Sequence, residues 1–273
     1  MRLGLQLYSV REDLQKDFEG TLKKVKEMGY EAGELAGLYG LSAKEVKDAF
    51  EKAGLIPISA HVSHQDFMNG GIEDTIKLYK EIGCKYIAIP YLPNEYRYGN
   101  EKYNQVLADM KEIGKVCKKY GIVFMYHNHD FEFEKNDKGE YVLDALYSEI
   151  GPDLLQTEID TCWANVGGVD PSEYVRKYTG RAPVVHLKDF VGSKTANMYK
   201  LIGIDDNTEK QSTQKFEYRP VGYGVQYIQQ IVDASRDAGC EWLIVEQDEP
   251  SCGWSRLECA KRSVDYMKTV NYK

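Results

Sequence analysis

A closed (β/α)8 barrel is the fold class this sequence predicts, and three observations predict it. Eight short apolar runs alternate with eight amphipathic segments along the chain. The length, 273 residues, is close to the roughly 250 that such a barrel needs. No strand-like run is followed by Gly-x-Gly-x-x-Gly, the loop that an open dinucleotide-binding sheet would carry. Nothing rich in Pro, Gly or Ser divides the chain, so one domain is expected over 1–273.

The elements follow in order. The first strand is expected over 3–8 and a helix over 13–28, where Leu14, Phe18, Leu22, Val25 and Met28 recur at helical spacing. Gly29 stops that helix. The second strand, 30–35, leads to a helix over 42–53 with Ser42 and Glu45 spaced as a capping box. The third strand is 56–61, and its helix, 72–82, closes at Gly83. The fourth strand, 86–90, precedes a long helix over 101–120. The fifth strand, 122–127, is followed by a hairpin-like turn at 136–139 and a short helix over 141–148. The sixth strand is 154–160, with a helix from Pro171, and the seventh is 182–187. A long polar loop over 189–218 comes before a helix over 225–238. The eighth strand, 242–246, and a helix over 255–269 complete the pattern.

Composition narrows the partners. A formal net charge of -8 and a pI near 5.3 oppose a general nucleic-acid partner, although a local basic groove stays open. The six cysteines include no Cys-x-x-Cys pair and read as thiols in a reducing compartment. No stretch approaches the roughly 20 apolar residues of a membrane span. The chain starts on a strand with no signal peptide, so a cytoplasmic location is expected, a removed export signal aside. A homo-oligomer is compatible with everything above.

Chemistry in such a barrel gathers at the C-terminal strand ends. Four of the five histidines fall there: His61, His127, His129 and His186. His127 and His129 are two apart and share one face of an extended strand, with His127 the deeper. Glu34, the pair Glu158 and Asp160, Lys188 and Glu246 arrive at the same rim. One such residue alone is ordinarily a cap or a hydrogen-bonded polar group. Several converging carboxylates need a cation, because unpaired buried charge is costly. Imidazole and carboxylate donors without thiolate favour Mn²⁺, with Mg²⁺, Co²⁺ or Zn²⁺ behind it. Cys162 steps onto the following loop and reads as structural. Trp163 can stack a sugar face at the pocket lip. Lys188 and Asp189 could equally form a plain surface ion pair.

The chain resembles the sugar phosphate isomerase/epimerase family of xylose isomerase-like barrels. The matching pieces are Gly4-Leu5-Gln6-Leu7-Tyr8-Ser9-Val10-Arg11, Tyr126-His127-Asn128-His129 and Asp160-Thr161-Cys162-Trp163 with Gly168-Val169-Asp170-Pro171. His186-Leu187-Lys188-Asp189, Val221-Gly222-Tyr223-Gly224 and Val245-Glu246-Gln247-Asp248 continue the match. The resemblance implies one divalent metal on His129, Asp160, His186 and Glu246. The sugar epimerases place a Glu on the fifth strand, where this chain has histidines. That is nearer to relatives such as inosose dehydratases and 3-keto-glycoside lyases, in which the first His is a base. The expected activity is a metal-dependent isomerase, epimerase or lyase of a sugar or keto-sugar. It would work by proton abstraction beside a carbonyl through a metal-stabilised enediolate. His127, Glu158 and Lys188 are the expected catalytic groups, with His61, Trp163 and Glu34 facing substrate. An apurinic endonuclease of the superfamily would need more histidines and a basic face. A sugar-binding barrel without catalysis is the other alternative.

Overall fold

The apolar runs lie side by side as parallel strands because each is buried on both faces and needs partners along both edges. In the computed structural model, residues 1–194 and 215–273 are described. The strands in chain order are β1 (Arg2–Gln6), β2 (Ala32–Ala36), β3 (Ile56–His61), β4 (Tyr86–Ile89), β5 (Val123–His127), β6 (Gln156–Asp160), β7 (Val184–Leu187), β8 (Asp189–Val191), β9 (Glu217–Arg219) and β10 (Trp242–Val245). Eight of them close into a barrel in the order β1-β10-β7-β6-β5-β4-β3-β2, a (β/α)8 architecture with helices outside. β8 and β9 form a separate antiparallel ribbon.

Register brings the polar strand ends to one level. His127 pairs across from Glu158, and Asp160 from His186. Beneath them Ile58, Tyr86, Met125, Val184, Trp242 and Ile244 fill the barrel as a dry floor. Among the described residues, no helix is long and apolar enough to cross a membrane. All six cysteines are unpaired thiols.

The helix expected over 13–28 is two, Arg11–Lys16 and Phe18–Met28. Asp17 breaks it: the residue is extended (φ -154°) and its carboxylate accepts the Gly20 N–H at 2.9 Å. Capping geometry overrode the apolar spacing. A Cβ at position 20 would stand 2.0 Å from Asp17 Oδ2, so a larger residue there would make the capping carboxylate shift. The helix His64–Gly70 is an addition, started by a reciprocal Ser63/Asp66 capping box that the sequence already carried. Cys162 lies on a helix, Thr161–Val166, rather than a loop, and it is fully buried. β3 falls where expected, and the other strand limits shift by at most two residues. The polar loop expected over 189–218 contributes β8 and β9 at its two ends, and 195–214 lies outside the described residues.

Lys188 and Asp189 do not pair with each other. The strand sends them to opposite sides, Lys188 into the barrel mouth and Asp189 into a backbone knot. Asp189 accepts N–H bonds from Gly222 (3.0 Å), Gly224 (2.9 Å), Gln226 (3.1 Å) and Phe190 (2.9 Å). This accounts for the two glycines of Val221-Gly222-Tyr223-Gly224. Gly222 has φ +87°, and a Cβ on Gly224 would meet Asp189 Oδ1 at 2.2 Å. Asp189→Ala should lower the unfolding free energy by about 2–4 kcal/mol, since it leaves several N–H groups unmet. Urea unfolding measures this; a loss below about 0.5 kcal/mol would mean the knot has no energetic weight.

Candidate metal and catalytic site

Among the described residues, two largely buried groups of side chains form at the C-terminal mouth. His127, Asp160, His186 and Glu246 bring ligand atoms within 4.8 Å of one another. His61, His127, Glu158 and His186 do the same one layer deeper. His127 and His186 belong to both, and His186 reaches carboxylates on two sides. Its Nδ1 lies 2.9 Å from Glu246 Oε2, and its Nε2 lies 2.7 Å from Glu34 Oε1. Glu34 is held from below by Gln6 Nε2, which donates at 2.7 Å, and by the Ser59 hydroxyl. The His61 Nε2 contacts Glu158 Oε2 at 2.7 Å.

Five buried carboxylates, Glu34, Glu158, Asp160, Glu246 and Asp248, share this mouth with one buried lysine, Lys188. Lys188 Nζ sits 2.6 Å from Asp248, 3.3 Å from Glu246 and 3.7 Å from Asp160. Burial would lower the Lys188 pKa, but these carboxylates outweigh it and hold the ammonium charged. Burial would raise Glu246, yet Lys188 and His186 pull it well below the usual range. His186 rises against its burial because Glu34 and Glu158 face it. His127 and His129 both fall well below the ordinary imidazole value. Burial leads in each case, reinforced by His186 and His61 for His127, and by His127 and Lys188 for His129.

The donor set fits a divalent cation. Asp160 Oδ2, Glu158 Oε1 and His127 Nδ1 are buried without a hydrogen-bond partner. Such atoms are costly unless something positive or protic meets them. Asp160 spends its other oxygen on the Trp163 N–H at 2.9 Å, which fixes the carboxylate.

The expected ligands Asp160, His186 and Glu246 come together, and the fifth-strand member standing with them is His127. His129 belongs to neither group. It lies past the end of β5, in a wall of rings: Tyr91 at 5.4 Å, Phe131 at 5.7 Å and Trp163 at 5.1 Å between centroids. The deeper residue reached the shared centre, as the strand pleat allows. Trp163 is fully buried rather than at an open lip, packed with Phe190, Phe216 and Tyr218. Its ring still lies 5.2 Å from Lys188 Nζ. His61 and Glu34 sit below the first group, bonded to protein partners. Sequence reading passed over Asp248, which anchors Lys188, and Gln6, which orients Glu34. Both stand beside strand ends within the motifs quoted above. The fifth histidine, His64, faces Asp109 at 2.8 Å away from the mouth.

Chemistry in a closed parallel barrel gathers at the C-terminal mouth, where this chain brings its histidines and carboxylates together. This chain belongs to the xylose isomerase-like TIM barrel family, whose model matches residues 22–270. It is 22% identical over 190 residues to an inosose dehydratase of Geobacillus kaustophilus, covering 62% of this chain and 61% of that protein. It is also 22% identical over 279 residues to an inosose dehydratase of Clostridium perfringens, covering 94% and 91%. The chain therefore spans less than two thirds of the first relative's length and about nine tenths of the second's. A sugar phosphate isomerase/epimerase from Parabacteroides distasonis shares the fold, with a TM-score of 0.79 at 22% identity over 99% of this chain and 94% of that one.

Proposed function

We propose that this chain is a divalent-metal-dependent enzyme acting on a sugar or keto-sugar. Its first step is removal of a proton from the carbon beside a carbonyl. Isomerisation, epimerisation and loss of a leaving group all share that step. The observation that supports this most is the buried group His127, Asp160, His186 and Glu246, with ligand atoms within 4.8 Å. We assign the ion to these four, which places His127 where His129 was expected and leaves His129 as the base. A bound divalent ion, Mn²⁺ ahead of Mg²⁺, Co²⁺ or Zn²⁺ for this donor set, would polarise the substrate carbonyl and acidify its α-proton.

The chain's own groups supply the rest. His129 is neutral and walled by aromatic rings, so it offers an imidazole lone pair in a site with little water. Lys188 is held charged, so it offers a charged hydrogen bond to a substrate oxygen on which negative charge develops. Glu158 is held low by His186 and His61 against its burial, and with Glu34 it orients those rings. The dehydratase relatives are consistent with the elimination branch. The test is proton NMR of an inosose and a 3-keto-glucoside in deuterated water with Mn²⁺-loaded protein. The α-hydrogen signal should decay, and a chelator should stop the decay. No exchange with either compound would sink the proposal.

A further inference from the structure

The Lys188 ammonium and the proposed ion address the same oxygens. Lys188 Nζ lies 3.3 Å from Glu246 Oε2 and 3.7 Å from Asp160 Oδ2, and both residues belong to the four-residue metal group. A positive charge that close opposes a divalent cation by like-charge repulsion. We propose that Asp248, which is not among the four ligands, is a positioning residue: it parks the Lys188 ammonium and so keeps the ligand oxygens open to the ion. This rests on the metal reading of the main site.

Distance is the first observation. Of the three carboxylates around Lys188 Nζ, Asp248 is the nearest, at 2.6 Å. Asp160 Oδ2 stays buried with no hydrogen-bond partner, so the ammonium leaves that oxygen uncommitted.

Confinement is the second. Lys188 is only 2% exposed, and its Nζ is flanked by the Trp163 ring at 5.2 Å and the Tyr218 ring at 5.3 Å. A buried ammonium has to be met by a carboxylate, because water cannot replace one there. Take Asp248 away, and the carboxylates left within ion-pair reach are the two metal ligands Glu246 and Asp160.

The third is how firmly Asp248 is held. Its carbonyl accepts from Arg11 Nη1 at 2.6 Å and from Arg256 Nη1 at 2.7 Å. Both guanidinium groups also reach Glu249, the next residue. Two charged donors on one carbonyl fix the backbone of Asp248 without help from Lys188. The carboxylate is therefore in place to draw the ammonium over, rather than being drawn by it.

The test is a double-mutant cycle on Mn²⁺ affinity, read by competition with a chelating dye. Asp248→Asn should weaken Mn²⁺ binding by roughly 10–100-fold, the usual cost of losing a partner just behind the ligands. Lys188→Met alone should tighten it. With Lys188→Met present, adding Asp248→Asn should change the affinity by less than about twofold, since no ammonium is left to park. An equal loss in both backgrounds overturns the proposal, because Asp248 would then act through its own charge. No loss in the parent overturns it as well. Asp248→Ser and Lys188→Gln close the same cycle where circular dichroism shows that the first pair does not fold. A parent that binds no Mn²⁺ fells the metal reading and this proposal together. A parent that binds Mn²⁺ with no coupling between positions 188 and 248 overturns this proposal alone.

Discussion

His129→Ala should keep the fold and the metal and lose roughly 10²–10⁴ of the rate, the usual worth of a general base. The expectation follows from placement. His129 stands outside the four-residue group but only 5.5 Å, ring to ring, from His127 within it. It can reach a carbon whose oxygen the ion holds while taking no part in holding the ion. Its backbone N–H is pinned by Glu132 at 2.8 Å, and Glu132 in turn receives the Tyr126 hydroxyl, so the ring's anchor is set from the buried side. Metal content by mass spectrometry and α-hydrogen exchange by NMR together test the assignment. His127→Ala is the necessary companion, and it should lose the metal. If His129→Ala empties the site and His127→Ala does not, the two histidines have the opposite roles. If neither affects metal or exchange, both are structural and Glu158 becomes the base to examine.

Asp160→Asn combined with Glu246→Gln should abolish metal binding and all activity. Each change removes one negative charge from the ion's surroundings and replaces an oxygen with a poorer donor. The apo form should still fold. Lys188 keeps Asp248 at 2.6 Å, and His186 keeps Glu34 at 2.7 Å, so no cation is stranded. Two carboxylates fewer among five also relieves like-charge repulsion in the empty site. An unchanged or raised Tm with no bound metal is the expected pair of results. Tight metal binding by the double variant would show that the ion, if any, belongs to the deeper group with His61 and Glu158.

The barrel was legible because its signal is repeated. Each strand is a run of apolar residues too short for a helix, and each is followed by helical spacing, so a slip at one boundary does not change the count. The site was legible as a set for a similar reason: polar residues at apolar strand ends stand out. That His127, and not His129, stands with Asp160, His186 and Glu246 was not legible. Residues two apart share a face, and only the strand's depth in the barrel says which one reaches the centre. Trp163 was misplaced because the sequence does not show that Phe216 and Tyr218 come back over it. Asp17 breaking the first helix was a contest between two local preferences, and a count of apolar spacing does not weigh them.

The Asp189 knot sits where the chain leaves the barrel and comes back. Gly192 and Lys215 touch so closely that a Cβ on the glycine would lie 2.3 Å from the lysine carbonyl oxygen. Departure and return are clasped together by β8, β9 and one carboxylate. The points at which the chain leaves and returns are therefore fixed by the barrel side of the clasp alone. The clasp is a seam: it separates the strands that carry the histidine and carboxylate group from whatever the chain does between residues 194 and 215.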